Sequence, residues 1–86
     1  MLSVQRTKID AIDRELVRLL EARMQVVEEV ARIKREHRLP VLDVAREAQV
    51  IERVTGYLED SRYADMVAEL YTHLMRLSKE HQRQQM

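Results

Sequence analysis

Residues 3–37 read SVQRTKIDAIDRELVRLLEARMQVVEEVARIKREH, without a glycine or a proline to interrupt a helix. Ser3 is a candidate N-cap for this segment. At 1.5 Å per residue, the segment predicts a first helix of roughly 50 Å, over about residues 3–37. Apolar side chains recur along one side of it with the helical period. They are Ile9, Ile12, Leu16, Leu19, Leu20, Val26, Val27, Val30 and Ile33.

A second, shorter helix is predicted after a break in this pattern. Pro40 cannot continue the first helix and forces a non-helical link. Asp43 then stands where the N-cap of a new helix would be, and this helix is predicted over about residues 43–55. Gly56 follows as its expected stop.

The remainder of the chain predicts a third helix over about residues 61–82, with Asp60 or Ser61 as its cap. The composition agrees, because one glycine, one proline and no Phe or Trp argue against hairpins and sheets. At 86 residues the chain is the size of one domain. We therefore predict an all-α fold with one long and two shorter helices, in a single domain over residues 1–86.

Composition also argues against several classes of function. Lys and Arg number 15, and Asp and Glu number 15, so no overall field attracts nucleic acid or an anionic membrane. Without cysteine there is no thiol chemistry, and the three histidines are too scattered for a metal site. The chain shows neither a signal peptide nor an apolar run of about 20 residues that could span a membrane. We expect a cytoplasmic protein.

The long first helix predicts a dimer. Two shorter helices of the same chain would leave much of its apolar stripe exposed, and large exposed apolar patches mark interfaces. An intertwined homodimer, with the long helices packed antiparallel, would cover the stripe. A closed two-fold interface is also the commonest arrangement among oligomers.

Three ionisable residues interrupt the apolar stripes. At about 100° per residue, Arg23 and Lys34 project along the same line as Leu16 and Val30 on the first helix. Glu47 has an equivalent position on the second helix. A buried unpaired charge is costly, so such residues usually face each other, a cavity or a ligand. The pattern predicts a polar pocket inside the helical bundle.

Further polar residues can complete this pocket. Arg23 and Lys34 lie about 16 Å apart along one face, so their long side chains can close on a small anion. Arg6 is about 25 Å from Arg23 on the same helix, but in an antiparallel dimer Arg6 of the partner subunit can approach it. The other candidates are Asp43, Arg46, Glu47, Ser78 and Gln82. Four cations against two carboxylates leave a local charge of about +2, which a dicarboxylate would neutralise.

Each candidate also has a structural interpretation without a ligand. Arg23 could form an ion pair across the dimer. Lys34 could favour the dipole at the C-terminal end of the first helix. Asp43 could act as an N-cap alone. The prediction of a pocket therefore depends on the whole set rather than on any single residue.

The candidate residues follow a fixed order along the chain. They read Arg6-x-x-Ile9-x-x-Ile12-Asp13, Leu19-Leu20-x-x-Arg23, Lys34, Pro40-Val41-x-Asp43-x-x-Arg46-Glu47 and Ser78-x-x-x-Gln82. This order resembles that of the all-helical (AroQ-class) chorismate mutases of the shikimate pathway, which form intertwined dimers. The similarity extends from about Leu2 to Gln82, nearly the whole chain.

The resemblance implies an isomerase that rearranges chorismate to prephenate in phenylalanine and tyrosine biosynthesis. The reaction is an intramolecular [3,3] rearrangement, for which the family needs neither a cofactor nor a metal. The family implies catalysis by selecting a compact conformer of the substrate and by stabilising charge in the transition state.

A role for each candidate residue also follows from the resemblance. Arg6 of the partner subunit, Arg23 and Lys34 would grip the two carboxylates of chorismate. Lys34 and Gln82 would donate hydrogen bonds to the ether oxygen. Glu47 would hold the ring hydroxyl. The resemblance thus implies that the catalytic residues are Arg23, Lys34, Glu47 and Gln82. Asp43 would hold the ring hydroxyl together with Glu47, and Arg46 and Ser78 would support the grip on the carboxylates.

Two alternatives remain open from the sequence. Isochorismate-pyruvate lyases share the helical-dimer fold and the cationic clamp, although the Asp43-x-x-Arg46-Glu47 segment favours the mutase. A non-catalytic helical dimer, such as a regulatory module of a shikimate-pathway enzyme, is the other alternative. Related mutase domains are also fused to other enzymes of the pathway, so an associated or fused enzyme partner is possible.

Overall fold

A computed structural model describes residues 1–85, and Met86, the last residue of the predicted domain, lies outside them. The described residues form three α-helices and one short 3₁₀ helix, and they contain no strand. The helices are α1 (Ser3–Glu36), α2 (Val44–Gly56), the 3₁₀ helix (Ser61–Tyr63) and α3 (Ala64–Gln84). The prediction of an all-α fold with one long and two shorter helices is confirmed.

The first turn of α1 lacks the side-chain cap that the sequence predicted. The N-cap position is occupied by Leu2, and no side chain caps the helix. Ser3 is already helical, and its carbonyl accepts a hydrogen bond from the Thr7 hydroxyl at 2.9 Å. The prediction of a Ser3 cap was wrong, because a capping residue needs non-helical backbone angles at its own position.

A tight turn closes the C-terminal end of α1 before Pro40 is reached. The helix ends at Glu36. Arg38 follows in the left-handed region with φ at 55°. The Leu39 N–H then donates to the Lys34 carbonyl at 2.8 Å, the hydrogen bond that closes a Schellman motif. Glycine is the residue that adopts this conformation without steric cost, so Arg38 stabilises the turn less well than glycine would.

The start of α2 agrees with the sequence, whereas its end differs slightly. The Asp43 side chain accepts a hydrogen bond from the Arg46 N–H at 3.0 Å, which confirms the predicted N-cap. Gly56 is still helical, and Tyr57 is the C-cap. Gly56 does not adopt a positive φ. It therefore does not end the helix through a left-handed turn, as the sequence had suggested.

Asp60 is the N-cap of the 3₁₀ helix, which directly precedes α3. α3 itself begins only at Ala64. The Asp60 carboxylate accepts a hydrogen bond from the Arg62 N–H at 3.0 Å. It also accepts from the Arg62 guanidinium, at 2.7 Å for the shortest of those bonds. These bonds, the side-chain ones foremost, lower the pKa of Asp60 below its ordinary value.

The small core lies at one end of the molecule. α3 packs against both α1 and α2. The buried apolar residues are Val27 and Ala31 of α1, Val50 of α2 and Met75 of α3. The C-terminal half of α1 is therefore the half that the other helices of this chain cover.

The N-terminal half of α1 extends beyond this core, and the molecule is 54 Å long. Apolar side chains along this half are exposed, among them Val4, Ile9, Ile12, Leu16 and Leu19. Among residues 1–85, no helix combines the length and the apolar character needed to cross a membrane.

Candidate functional site

A pocket with a volume of about 290 Å³ lies between the C-terminal half of α1, the start of α2 and the C-terminal half of α3. With the exception of Arg6, every site residue predicted from the sequence lines this pocket. These residues are Arg23, Lys34, Asp43, Arg46, Glu47, Ser78 and Gln82. Its apolar walls are Val26, Val27, Val30, Val41, Val50 and Met75. The structure thus brings together residues that are up to about sixty positions apart in the sequence, as the periodicity of α1 and α2 predicted.

Arg23 is held in place from α3. Its guanidinium donates a hydrogen bond to the Ser78 hydroxyl oxygen at 2.9 Å, and its central carbon lies 5.8 Å from the centre of the Tyr71 ring. Ser78 is buried and donates its own proton to the Leu74 carbonyl at 2.8 Å. A guanidinium has five N–H donors, so this arrangement orients Arg23 and leaves donors for an anion.

Lys34 connects α1 to the link that follows it. Its ammonium donates a hydrogen bond to the Val41 carbonyl at 2.8 Å. An ammonium has three donors, so the group can bind a carbonyl and an anionic ligand at the same time. The contact also fixes the link beside the pocket, where Pro40 and Asp43 direct the chain into α2.

The first turn of α2 supplies three charged residues to the pocket wall. Asp43 is the N-cap, and its cap bond to the Arg46 N–H fixes the start of the helix. Glu47 follows in the same turn, where the positive end of the helix dipole favours a carboxylate. Asp43 therefore has the capping role that the alternative interpretation assigned to it, and it lines the pocket as well.

Lys79 is a pocket residue that the sequence reasoning missed. Its ammonium lies 3.2 Å from one oxygen of the Glu47 carboxylate and donates to the other at 3.4 Å. The signal was present in the helical period, because Lys79 follows the buried Met75 by four residues, one turn of the helix. A lysine at the edge of an apolar stripe is usually solvated, so the pattern alone gave no reason to choose it.

Two buried acceptors in the described part of the chain lack a hydrogen-bond donor, and both belong to this pocket. They are Oε2 of Glu47 and Oε1 of Gln82. Lys79 is near the Glu47 oxygen, but it meets the geometry of a hydrogen bond only toward Oε1. Buried polar groups are usually satisfied, so their concentration at one pocket indicates a site that a polar ligand can complete.

The charge of the pocket is positive within a single chain. Its cations are Arg23, Lys34, Arg46 and Lys79, and its carboxylates are Asp43 and Glu47. The net charge of +2 equals the value expected from the sequence, but Lys79 takes the place of Arg6 in the count. A positively charged cavity with apolar walls suits a small molecule that carries two negative groups.

Arg6 does not line the pocket of its own chain. It is exposed on the N-terminal half of α1, about 25 Å from Arg23 along the helix. The expectation that Arg6 reaches the pocket from a partner subunit stays a prediction.

The fold and the pocket together define an all-helical protein with a positively charged cavity between its helices. The family of chorismate mutase type II matches residues 5–83 of the chain. A relative, the T-protein of Haemophilus influenzae, is 31% identical over 74 residues, which are 85% of this chain and 20% of the relative. The chain thus spans about a fifth of the length of that relative.

The family match covers nearly all of the helices and every pocket residue named above. The chain therefore belongs to the chorismate mutase type II family, which is a family of isomerases. The family that the residue order had suggested is confirmed.

Proposed function

We propose that this chain catalyses the rearrangement of chorismate to prephenate in the pocket between its three helices. The observation that carries the proposal is the convergence of Arg23 and Lys34, from one face of α1, on an apolar cavity with a net positive charge. Chorismate has two carboxylates on a compact carbon skeleton, so its charge and shape suit this cavity. Family membership supports the same substrate.

The first task of the pocket is to hold the substrate in its reactive shape. The rearrangement breaks one carbon–oxygen bond and forms one carbon–carbon bond within the same molecule, so no other reactant takes part. The two ends of chorismate must come together before they react. Arg23 and Lys34 would grip the two carboxylates and hold the compact conformer, which lowers the entropic part of the barrier. Arg46 and Ser78 would support them, Ser78 through its hydrogen bond with Arg23.

The second task is to stabilise the charge that develops during bond breaking. As the carbon–oxygen bond opens, negative charge grows on the ether oxygen. The Lys34 ammonium and the Gln82 amide would donate hydrogen bonds to that oxygen. The bond from Lys34 to the Val41 carbonyl and the burial of Gln82 support donors that are held in place before the substrate arrives. Such preorganised donors are typically worth about 3–4 kcal/mol each in the transition state.

The third task is to fix the ring of the substrate. Glu47 would accept a hydrogen bond from the ring hydroxyl, with Asp43 beside it at the start of α2. The unsatisfied acceptor of the Glu47 carboxylate supports this role, because a ligand hydroxyl would supply the donor that the protein lacks there. This interaction exists before and during the reaction, so it would contribute mainly to binding.

The working form would be an intertwined homodimer. The exposed apolar side chains of the N-terminal half of α1 support an interface along that half, since such a row is costly to leave in water. An antiparallel arrangement of two copies would bring Arg6 of the partner subunit to the pocket, near Arg23. Arg6 would then add a further donor to a substrate carboxylate.

The proposal is tested by the absorbance of chorismate in the presence of the purified protein and a metal chelator. The expected result is loss of chorismate, with prephenate identified by its acid conversion to phenylpyruvate. A folded protein without turnover of chorismate would contradict the proposal. Release of pyruvate from isochorismate by the same sample would then identify a lyase, and inactivity on both would favour a non-catalytic module.

A further inference from the structure

Lys79 forms an ion pair with Glu47 that differs from the other ion pairs between Lys or Arg and a carboxylate in residues 1–85. The others, Glu15–Arg18, Asp60–Arg62 and Arg76–Glu80, each lie within one local segment and are more exposed. Lys79–Glu47 joins α3 to α2, with side chains only 22% and 30% exposed. A long-range, half-buried pair at the wall of the pocket calls for a functional explanation.

The geometry of this pair suits orientation of the carboxylate. Lys79 Nζ lies 3.2 Å from Oε2 and 3.4 Å from Oε1, so the ammonium faces both oxygens. The bond to Oε1 is long, and Oε2 accepts no hydrogen bond at all. The carboxylate is thus held by charge while it keeps the capacity to accept a stronger hydrogen bond from a ligand.

The position of Lys79 on α3 links this contact to the rest of the pocket. It follows Ser78, which holds Arg23, and precedes Gln82 by one turn. One short stretch of α3 therefore contacts the arginine clamp, carries the buried amide and binds the carboxylate of α2. Because α2 follows a non-helical link, an ion pair from α3 can help to set where its first turn lies.

We infer that Lys79 is a positioning residue, which aims the Glu47 carboxylate at the ring hydroxyl of the bound substrate. The inference rests on the proposed function and adds a residue whose effect on the substrate passes through Glu47. Glu47 would bind the hydroxyl in the ground state and in the transition state alike. Loss of Lys79 should therefore raise KM and leave kcat nearly unchanged.

The test compares steady-state kinetics of the full chain with chorismate for the wild type, Lys79→Met and Lys79→Arg. We expect KM to rise about tenfold in Lys79→Met, with kcat within about threefold of the wild type. Lys79→Arg keeps the charge, so its KM should stay close to that of the wild type. Arg76→Met removes an exposed cation from the same helix and should leave both constants unchanged. Circular dichroism checks folding, and Lys79→Gln replaces Lys79→Met if that variant does not fold.

A double-mutant cycle with Glu47→Gln separates positioning from direct binding of the anionic substrate. If Lys79 acts through Glu47, Lys79→Met has almost no further effect on KM in the Glu47→Gln background. An equal rise of KM in both backgrounds would overturn the inference, as would an unchanged KM in Lys79→Met itself. If either result is found and the wild type still turns over chorismate, the proposed function holds but the positioning role of Lys79 does not. Absence of turnover by the folded wild type would overturn both.

Discussion

The two halves of α1 have the same helical period and opposite surroundings. In the C-terminal half, Val27 and Ala31 are buried against the other helices, and Arg23 and Lys34 line the pocket. In the N-terminal half, Ile12 keeps 61% of its surface exposed although it lies on an equivalent apolar stripe. The pattern thus identifies the apolar face of a helix, but the other helices of the same chain bury that face only where they pack against it.

This contrast divides the proposed chemistry between the halves as well. The packed half holds Arg23 and Lys34, the cations proposed to bind the substrate, and each donates a hydrogen bond to a neighbouring element. The exposed half holds Arg6, which does not line the pocket of its own chain. We propose that the exposed half of one chain completes the site of another. Substitutions in the packed half should then affect the chemical step, whereas substitutions of apolar residues in the exposed half should affect assembly of the dimer.

The largest effect is expected for Lys34→Ala in the packed half. Loss of a donor to the ether oxygen should lower kcat about 100-fold or more and raise KM less, since the contact strengthens in the transition state. Arg32→Ala removes an exposed cation two residues away and serves as the control. Steady-state kinetics with chorismate checks both variants. Lys34→Ala with near wild-type kcat would show that the ammonium is not at the breaking bond.

The next effect is expected for Ile12→Glu in the exposed half. In an isolated chain this change at an exposed position should alter stability by no more than about 0.5 kcal/mol. In the proposed dimer it would bury a carboxylate at the interface, so dissociation and a loss of activity should follow. Sedimentation velocity measures the assembly, with Gln25→Glu on the outer face of α1 as control. A dimer that is unaffected by Ile12→Glu would place the interface elsewhere.

A smaller effect is expected at the turn that ends the packed half. Arg38→Gly should stabilise the fold by about 0.5–1 kcal/mol, because glycine adopts the left-handed conformation without the steric cost of a side chain. Arg14→Gly, in the middle of α1, should instead destabilise the fold by about 1 kcal/mol. Urea unfolding followed by circular dichroism compares the two. Destabilisation by both would mean that the Arg38 side chain stabilises the turn by more than its conformation costs.

The smallest effect is expected outside both halves, at Asp60. Because folding lowers the pKa of Asp60, its contacts with Arg62 stabilise the fold above the ordinary aspartate range. This contribution is lost as the pH falls through the lowered value. Arg62→Gln removes the guanidinium bonds and should move the NMR titration midpoint of Asp60 upward, whereas Arg14→Gln should not move it. An unmoved midpoint in Arg62→Gln would exclude the side-chain contact as the cause.

The sequence was sufficient to predict features that depend on helical phase. Arg23, Lys34 and Glu47 interrupt apolar stripes, and periodicity alone places them on faces that turn inward. Pro40 and the Asp43 cap locate the start of α2, because each has a strong local backbone preference. These effects act within a few residues, so they can be recognised without a structure.

Features that depend on competition between neighbours could not be predicted in this way. Ser3 is a good capping residue, but the backbone continues the helix past it, and Leu2 becomes the N-cap. The left-handed turn at Arg38 occupies a non-glycine position that no local rule selects. Lys79 has the appearance of a solvated lysine until α2 packs nearby and presents Glu47 to it. For Lys79, tertiary packing decides the outcome.

The central claim, that one site needs the packed half of one chain and the exposed half of another, can be tested by mixing two impaired variants. Arg6→Ala and Lys34→Ala each damage every site of their own homodimers. After subunit exchange at equal concentrations, half of the dimers would be mixed, and each mixed dimer would have one intact site. Chorismate turnover should then recover to about a quarter of the wild-type rate.

A mixture of Arg23→Ala and Lys34→Ala is the matched control. Both of those residues come from the same chain at each site, so no intact site can form and no activity should return. Recovery to about a quarter in the first mixture and none in the second is the result that the shared site predicts. Activity in the first mixture equal to the average of its separate components, after verified subunit exchange, would contradict it.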